Sequence, residues 1–118
     1  MQPKRCIISL LDKTFAALAN PGRRKLMDAL YKNNGQTLGE LCSNLRMSRQ
    51  AASKHLAVLE KADLVVVVWK GREKIHYLNP VPLQAVYERW IRKFDEKRLE
   101  ALAALKETLE RDKETGDG

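Results

Sequence analysis

With 118 residues, 44% of them hydrophobic, the chain can bury one real core and has little length left for a second domain. No apolar run approaches the roughly 20 residues that span a bilayer, and Asp12 and Lys13 close the short apolar stretch behind Lys4 and Arg5, so a soluble, unexported, cytoplasmic protein is expected. The cysteines, Cys6 and Cys42, form no CxxC pair and stand near no histidine cluster, which signals neither a disulfide framework nor a zinc site.

The formal net charge of +7 sits in the front of the molecule. Residues 1–83 carry 14 Lys and Arg against 6 Asp and Glu, whereas residues 84–118 carry 8 against 9. A localised basic excess favours a polyanionic partner, through long-range steering and the release of counterions from phosphates.

In chain order, Leu10, Leu11, Phe15 and Leu18 recur at helical spacing, and Asn20-Pro21 ends that helix while supplying an N-cap and a first-turn proline to the next. The second helix is expected over residues 21–32, burying Leu26, Met27, Leu30 and Tyr31. Asn33-Asn34-Gly35 then stops it, because Asn and Gly tolerate the left-handed conformation. Thr37 and Glu40 have capping-box spacing and open a short third helix over residues 38–44, facing inward through Leu41 and Leu45. After a turn, Ser48 caps a fourth helix, which gives helix-turn-helix spacing. On it Ala52, Leu56 and Leu59 share one face, leaving Arg49, Gln50, Ser53, Lys54 and Ala57 turned elsewhere.

Four consecutive valines within residues 64–69 favour a strand, since β-branched side chains lose χ1 freedom in a helix. Residues 73–78 alternate and answer it across the Lys70-Gly71-Arg72 turn. After Asn79-Pro80-Val81-Pro82, one long helix is expected over residues 83–111, marked by Val86, Trp90, Phe94, Leu99, Leu102, Leu105 and Leu109. At 1.5 Å per residue it is about 40 Å long, more than so small a globule covers by itself, so part of its apolar face is expected to meet another subunit. Residues 112–118 are polar and expected to fray.

The order of helices, recognition helix, two-stranded wing and long helix resembles the ArsR-type winged helix-turn-helix repressors. Several stretches carry the resemblance: Phe15 with Ala-Ala-Leu-Ala-Asn-Pro-Gly-Arg-Arg-Lys-Leu after it, Leu38-Gly-Glu-Leu-Cys42, the Ser-Lys-His-Leu core at residues 53–56, and Gly71-Arg-Glu-Lys-Ile-His-Tyr-Leu78. It spans about residues 10–80. It implies a mostly α fold with a small β-hairpin, a single winged-helix domain, and a homodimer that represses transcription from an inverted-repeat operator. Many members sense metals through a Cys-x-Cys pair at the third helix. Here Thr37 and Gly39 stand at those positions, and the C-terminal helix offers carboxylates without histidine, so no metal or cofactor is expected.

For base reading, Gln50 pairs bidentately with adenine, Arg49 or Lys54 with guanine, and the Ala51 methyl meets thymine. With Ser48 and Ser53, which lets the helix approach closely, these residues and His55 form the expected DNA-facing set. His55 lies beside the apolar stripe, where a satisfied, partly buried histidine is at least as good a reading. Lys70, Arg72 and Lys74 of the wing are expected at phosphates or in the minor groove, although charges there also protect a strand edge from aggregation. Arg23 and Arg24 suit the DNA backbone or an ordinary surface role. Leu11, Phe15, Val86, Trp90, Phe94 and Leu102 are expected in the dimer interface, a commoner use of an aromatic stripe than a small-molecule pocket. A protein-interaction module without specific DNA binding is the alternative; no catalytic constellation is legible, and any effector, or a thiol switch at Cys6 or Cys42, is left open.

Overall fold

The computed structural model describes residues 3–94 and 96–116. Its elements are α1 (Pro3–Leu18), α2 (Pro21–Lys32), α3 (Leu38–Leu45), α4 (Arg49–Lys61), β1 (Val65–Lys70), β2 (Glu73–Leu78), α5 (Val81–Trp90) and α6 (Glu96–Gly116). Among the described residues, six helices and one antiparallel hairpin make this a winged helix-turn-helix with a long C-terminal helix. The chain forms two compact units, Met1–Val86 and Tyr87–Gly118. The buried core cluster lies wholly in the first.

Local chemistry sets the helix boundaries. The Asn20 side chain accepts from the amides of Gly22 and Arg23 at 2.8 and 3.2 Å, and Pro21 needs no partner at the first helical position. Thr37 Oγ1 accepts from the Glu40 amide at 3.2 Å, but the Glu40 carboxylate takes the Thr37 hydroxyl at 3.1 Å instead of a backbone N–H, so only half of the capping box forms. The Asn33 amide closes α2 on the Ala29 carbonyl, and Gly35 follows with φ of 82°.

Apolar spacing then fixes the packing. Leu26 and Leu30 of α2, Leu41 of α3, Leu59 of α4 and Leu64 ahead of β1 are all fully buried. Each such leucine contributes roughly 2 kcal/mol by leaving water, which holds the three helices and the root of the hairpin together. Tyr31, expected inside, is 81% exposed: it follows Leu30 by one residue and falls off the buried stripe.

The hairpin pairs Val65 with Leu78 through to Lys70 with Glu73, around Gly71 at φ of 61°. Gln36 bridges to His76 and adds a single-residue third strand at the root.

The helix expected over residues 83–111 is two helices. In the last turn of α5 the Tyr87 carbonyl accepts from both Ile91 and Arg92 amides at 2.9 Å, and the chain turns before α6 begins. Neither glycine nor proline marks the break, so periodicity alone ran the two together. α6 continues to Gly116, through most of the stretch expected to fray; residues 117–118 lie outside those described. Every α6 residue from Lys97 to Asp112 is exposed. No helix among the described residues is long and apolar enough to cross a membrane.

Candidate nucleic-acid interface

The turn into α4 is built from two backbone states. Arg46 adopts the left-handed conformation at φ of 51°, and the Met47 amide bonds the Cys42 carbonyl at 3.2 Å, which closes α3. Ser48 is extended and its Oγ accepts from the Ala51 amide at 3.1 Å, which starts α4. From there Ala52, Leu56 and Leu59 are buried, and the same 3.6-residue period turns Arg49, Gln50, Ser53 and Lys54 outward, all exposed. Ala51 is half-buried at the edge of this face.

His55 does not share that exposure. It is half-buried, and a Cβ built on Gly22 would stand 2.8 Å from its Nε2, so the ring packs on the start of α2. The packing reading therefore fits it better than the DNA-facing one.

The wing presents Lys70, Arg72 and Lys74 to solvent around the hairpin tip. Trp69, paired with Lys74 across the strands, is 61% exposed, and the Lys74 ammonium lies 5.3 Å from its ring centroid. Between wing and α4 runs an open groove of about 520 Å³, bordered by Arg49 and Ser53 on one wall and Trp69, Arg72 and Lys74 on the other, with Glu60 among its acidic groups. A shallower depression of about 480 Å³ joins Arg49, Gln50, Ser53 and Lys54 to Leu38 of α3. Cations thus face one another across a furrow whose walls are a helix and a β-ribbon, a shape suited to a phosphate strand and base edges. Trp69 escaped the sequence reading, yet Val65, Val67 and Trp69 share one strand face, and pairing across the Gly71 turn puts Trp69 opposite Lys74.

The two arginines expected at the DNA backbone are already engaged. Arg23 donates to the carbonyls of Ala17 at 2.6 Å and Ala16 at 3.2 Å, and Arg24 to that of Leu18 at 2.7 Å. These carbonyls lie in the last turn of α1, where that of Ala16 also accepts the Ala19 amide at 3.3 Å, and both guanidiniums cap the helix end.

Of the residues expected between subunits, Leu11 is buried in its own chain at 7% exposure, which gives it a core role instead. Phe15, Trp90 and Leu102 are 45, 46 and 53% exposed, while Val86 and Phe94 are half-buried. Cys42 is half-buried and unbridged. Among the described residues no three His, Cys, Asp or Glu side chains converge to hold a metal ion.

A family model described as a helix-turn-helix domain matches residues 18–68, from the end of α1 into β1. The chain is 38% identical over 86 residues to the uncharacterized HTH-type transcriptional regulator YuzN of Bacillus subtilis (strain 168), covering 68% of this chain and 94% of that protein. It is 31% identical over 74 residues to the transcriptional repressor SdpR of the same organism, covering 63% and 81% respectively. Among solved structures it is similar to an ArsR-like transcriptional regulator from Rhodococcus sp. RHA1, with a TM-score of 0.65 and 30% identity over 86% of this chain and 93% of that one.

Proposed function

The chain belongs to the ArsR-type winged helix-turn-helix DNA-binding transcriptional regulators, and from that premise we propose that it is a homodimeric repressor acting on an inverted-repeat operator. One observation carries the reading: within a single unit, α4 buries Ala52, Leu56 and Leu59 and exposes Arg49, Gln50, Ser53 and Lys54, beside a wing whose Lys70, Arg72 and Lys74 are all open. A helix so displayed enters the major groove. There Gln50 reads adenine, Arg49 or Lys54 reads guanine, and Ser53 permits close approach. The wing cations then neutralise phosphates alongside, with Arg72 placed to enter the minor groove.

One recognition helix reads few base pairs, so affinity calls for a second copy with its helix about 34 Å away, one turn of duplex along. Leu99, Leu102, Leu105 and Leu109 of α6, 41 to 57% exposed, repeat at steps of three and four residues and offer an apolar stripe for that second copy. The name of the repressor SdpR supports the repressing direction.

The test is fluorescence anisotropy with duplex from upstream of the chain's own coding sequence against random duplex, at about 150 mM salt, where specific sites bind roughly 10³-fold or more tighter than non-specific ones. A clear preference, with a sedimenting mass of two chains, is expected. Equal affinity for both duplexes overturns the reading, and stable co-purification of another protein instead favours an interaction module.

A further inference from the structure

Residues 34–36, between α2 and α3, meet β2 residue by residue. Asn34 Oδ1 accepts from the Leu78 amide at 2.8 Å. Gly35 lies under the Tyr77 ring so closely that a Cβ there would sit 2.9 Å from Cε1. The Gln36 amide donates to the His76 carbonyl at 3.1 Å, and the Gln36 carbonyl accepts from the His76 amide at 2.8 Å. That same carbonyl stands 3.0 Å from His76 Nδ1; because a carbonyl only accepts, Nδ1 carries the proton.

The Gln36 side chain anchors this ladder to the helices. It is 1% exposed, and its Nε2 donates to the carbonyls of Ala29 at 3.1 Å and Asn33 at 2.7 Å, while its Oε1 accepts from Asn44 Nδ2 at 3.0 Å. One amide therefore ties the end of α2 to α3, and its own backbone holds the wing. Beyond this root the hairpin runs out to Gly71, where a Cβ would find nothing within 4 Å.

We propose that Asn34, Gly35 and Gln36 form a positioning site for DNA binding, which fixes the angle of the wing against α4 so that Arg72 and Lys74 reach phosphate while Gln50 reaches bases. The inference rests on the DNA-binding reading above. Burial of Leu64 and Val65, with the Leu64 amide on the Leu59 carbonyl at 2.9 Å, holds β1 at the end of α4, while the ladder to residues 34–36 orients β2.

The test is a set of double-mutant cycles on the full chain, read as affinity for the selected operator duplex and as its salt dependence. Arg72→Ala alone is expected to cost about tenfold, the scale of a lost charged DNA contact. In Asn34→Ala or Gln36→Leu backgrounds the same change should cost less than about threefold, with the salt slope already lowered by about 1, because the misdirected tip has lost its phosphate. Gln50→Ala should cost its full factor in every background. A loop serving stability alone would leave the Arg72 effect undiminished in the folded fraction, and that additive outcome overturns the proposal. If Gln36→Leu does not fold, Asn34→Ala and Asn44→Ala, each removing one hydrogen bond, decide the matter. Absence of specific binding by the unmodified chain would sink the functional reading and this one together; additive effects on a chain that binds sink this one alone.

Discussion

Lys74 stands over Trp69: the two are register partners across the hairpin, and the ammonium lies 5.3 Å from the indole centroid. The ring holds the cation toward the groove that Arg49 and Ser53 border from α4. An exposed cation–π contact of this kind is worth about 0.5–1 kcal/mol, small for stability and enough to restrain a long side chain. Trp69→Ala is therefore expected to weaken operator binding about three- to tenfold while changing unfolding free energy by no more than about 1 kcal/mol. Anisotropy and thermal unfolding of the same preparation separate the two effects; an unfolding change that accounts for the whole loss of binding defeats this assignment.

Gly35→Ala meets two penalties at once. Its φ of 82° is unfavourable for any residue with a Cβ, and that Cβ would fall 2.9 Å from the Tyr77 ring. A destabilisation of about 2 kcal/mol is expected in denaturant titration. A change under about 0.5 kcal/mol would mean that the loop shifts without resistance.

Ser48→Ala removes the acceptor for the Ala51 amide and should cost about 1 kcal/mol, while Ser48→Thr, which keeps the hydroxyl, should cost much less. Circular dichroism at the helix band during thermal unfolding follows both. Equal midpoints for the two variants would show that water replaces the cap without loss.

Lys70→Ala and Gln50→Ala should act in different ways. Loss of a phosphate-neutralising lysine reduces the slope of log affinity against log salt by about 1 and weakens all duplexes alike. Loss of the glutamine leaves the slope intact and narrows the gap between operator and random duplex by about 1–3 kcal/mol. The opposite pattern would place the lysine at a base and the glutamine at the backbone.

Leu102→Asp puts a charge in the exposed apolar stripe of α6 and is expected to convert a dimer to monomer in sedimentation without lowering helix content appreciably. An unchanged dimer mass would move the interface elsewhere.

What the sequence made legible was local. Asn20, Thr37 and Ser48 act on amides two or three residues ahead, and Ala52, Leu56 and Leu59 declare one helix face through spacing alone. The exposed residues of α4 follow from those two facts, and those of the wing from the valine run that leads into the Lys70-Gly71-Arg72 turn. What stayed hidden depends on contacts between distant positions or on chemistry without a sequence marker. Gln36 and His76 lie 40 positions apart, Arg23 and Arg24 reach back over the end of α1, and His55 meets Gly22 across two helices. The break after α5 has no glycine or proline to announce it. Tyr31 shows the residual error of periodicity, since one position around a helix separates buried Leu30 from an open side chain.

The hairpin is gripped near Leu78 and His76 and unsupported at Gly71, so it works mechanically as a cantilever. From the grip at His76 to Gly71 the free arm is about 15 Å long, and a tilt of only about 8° at its root displaces the tip by about 2 Å. That travel exceeds the tolerance of a hydrogen bond, so a deflection too slight to disturb the helices is enough to lift the arm's charged end off a duplex.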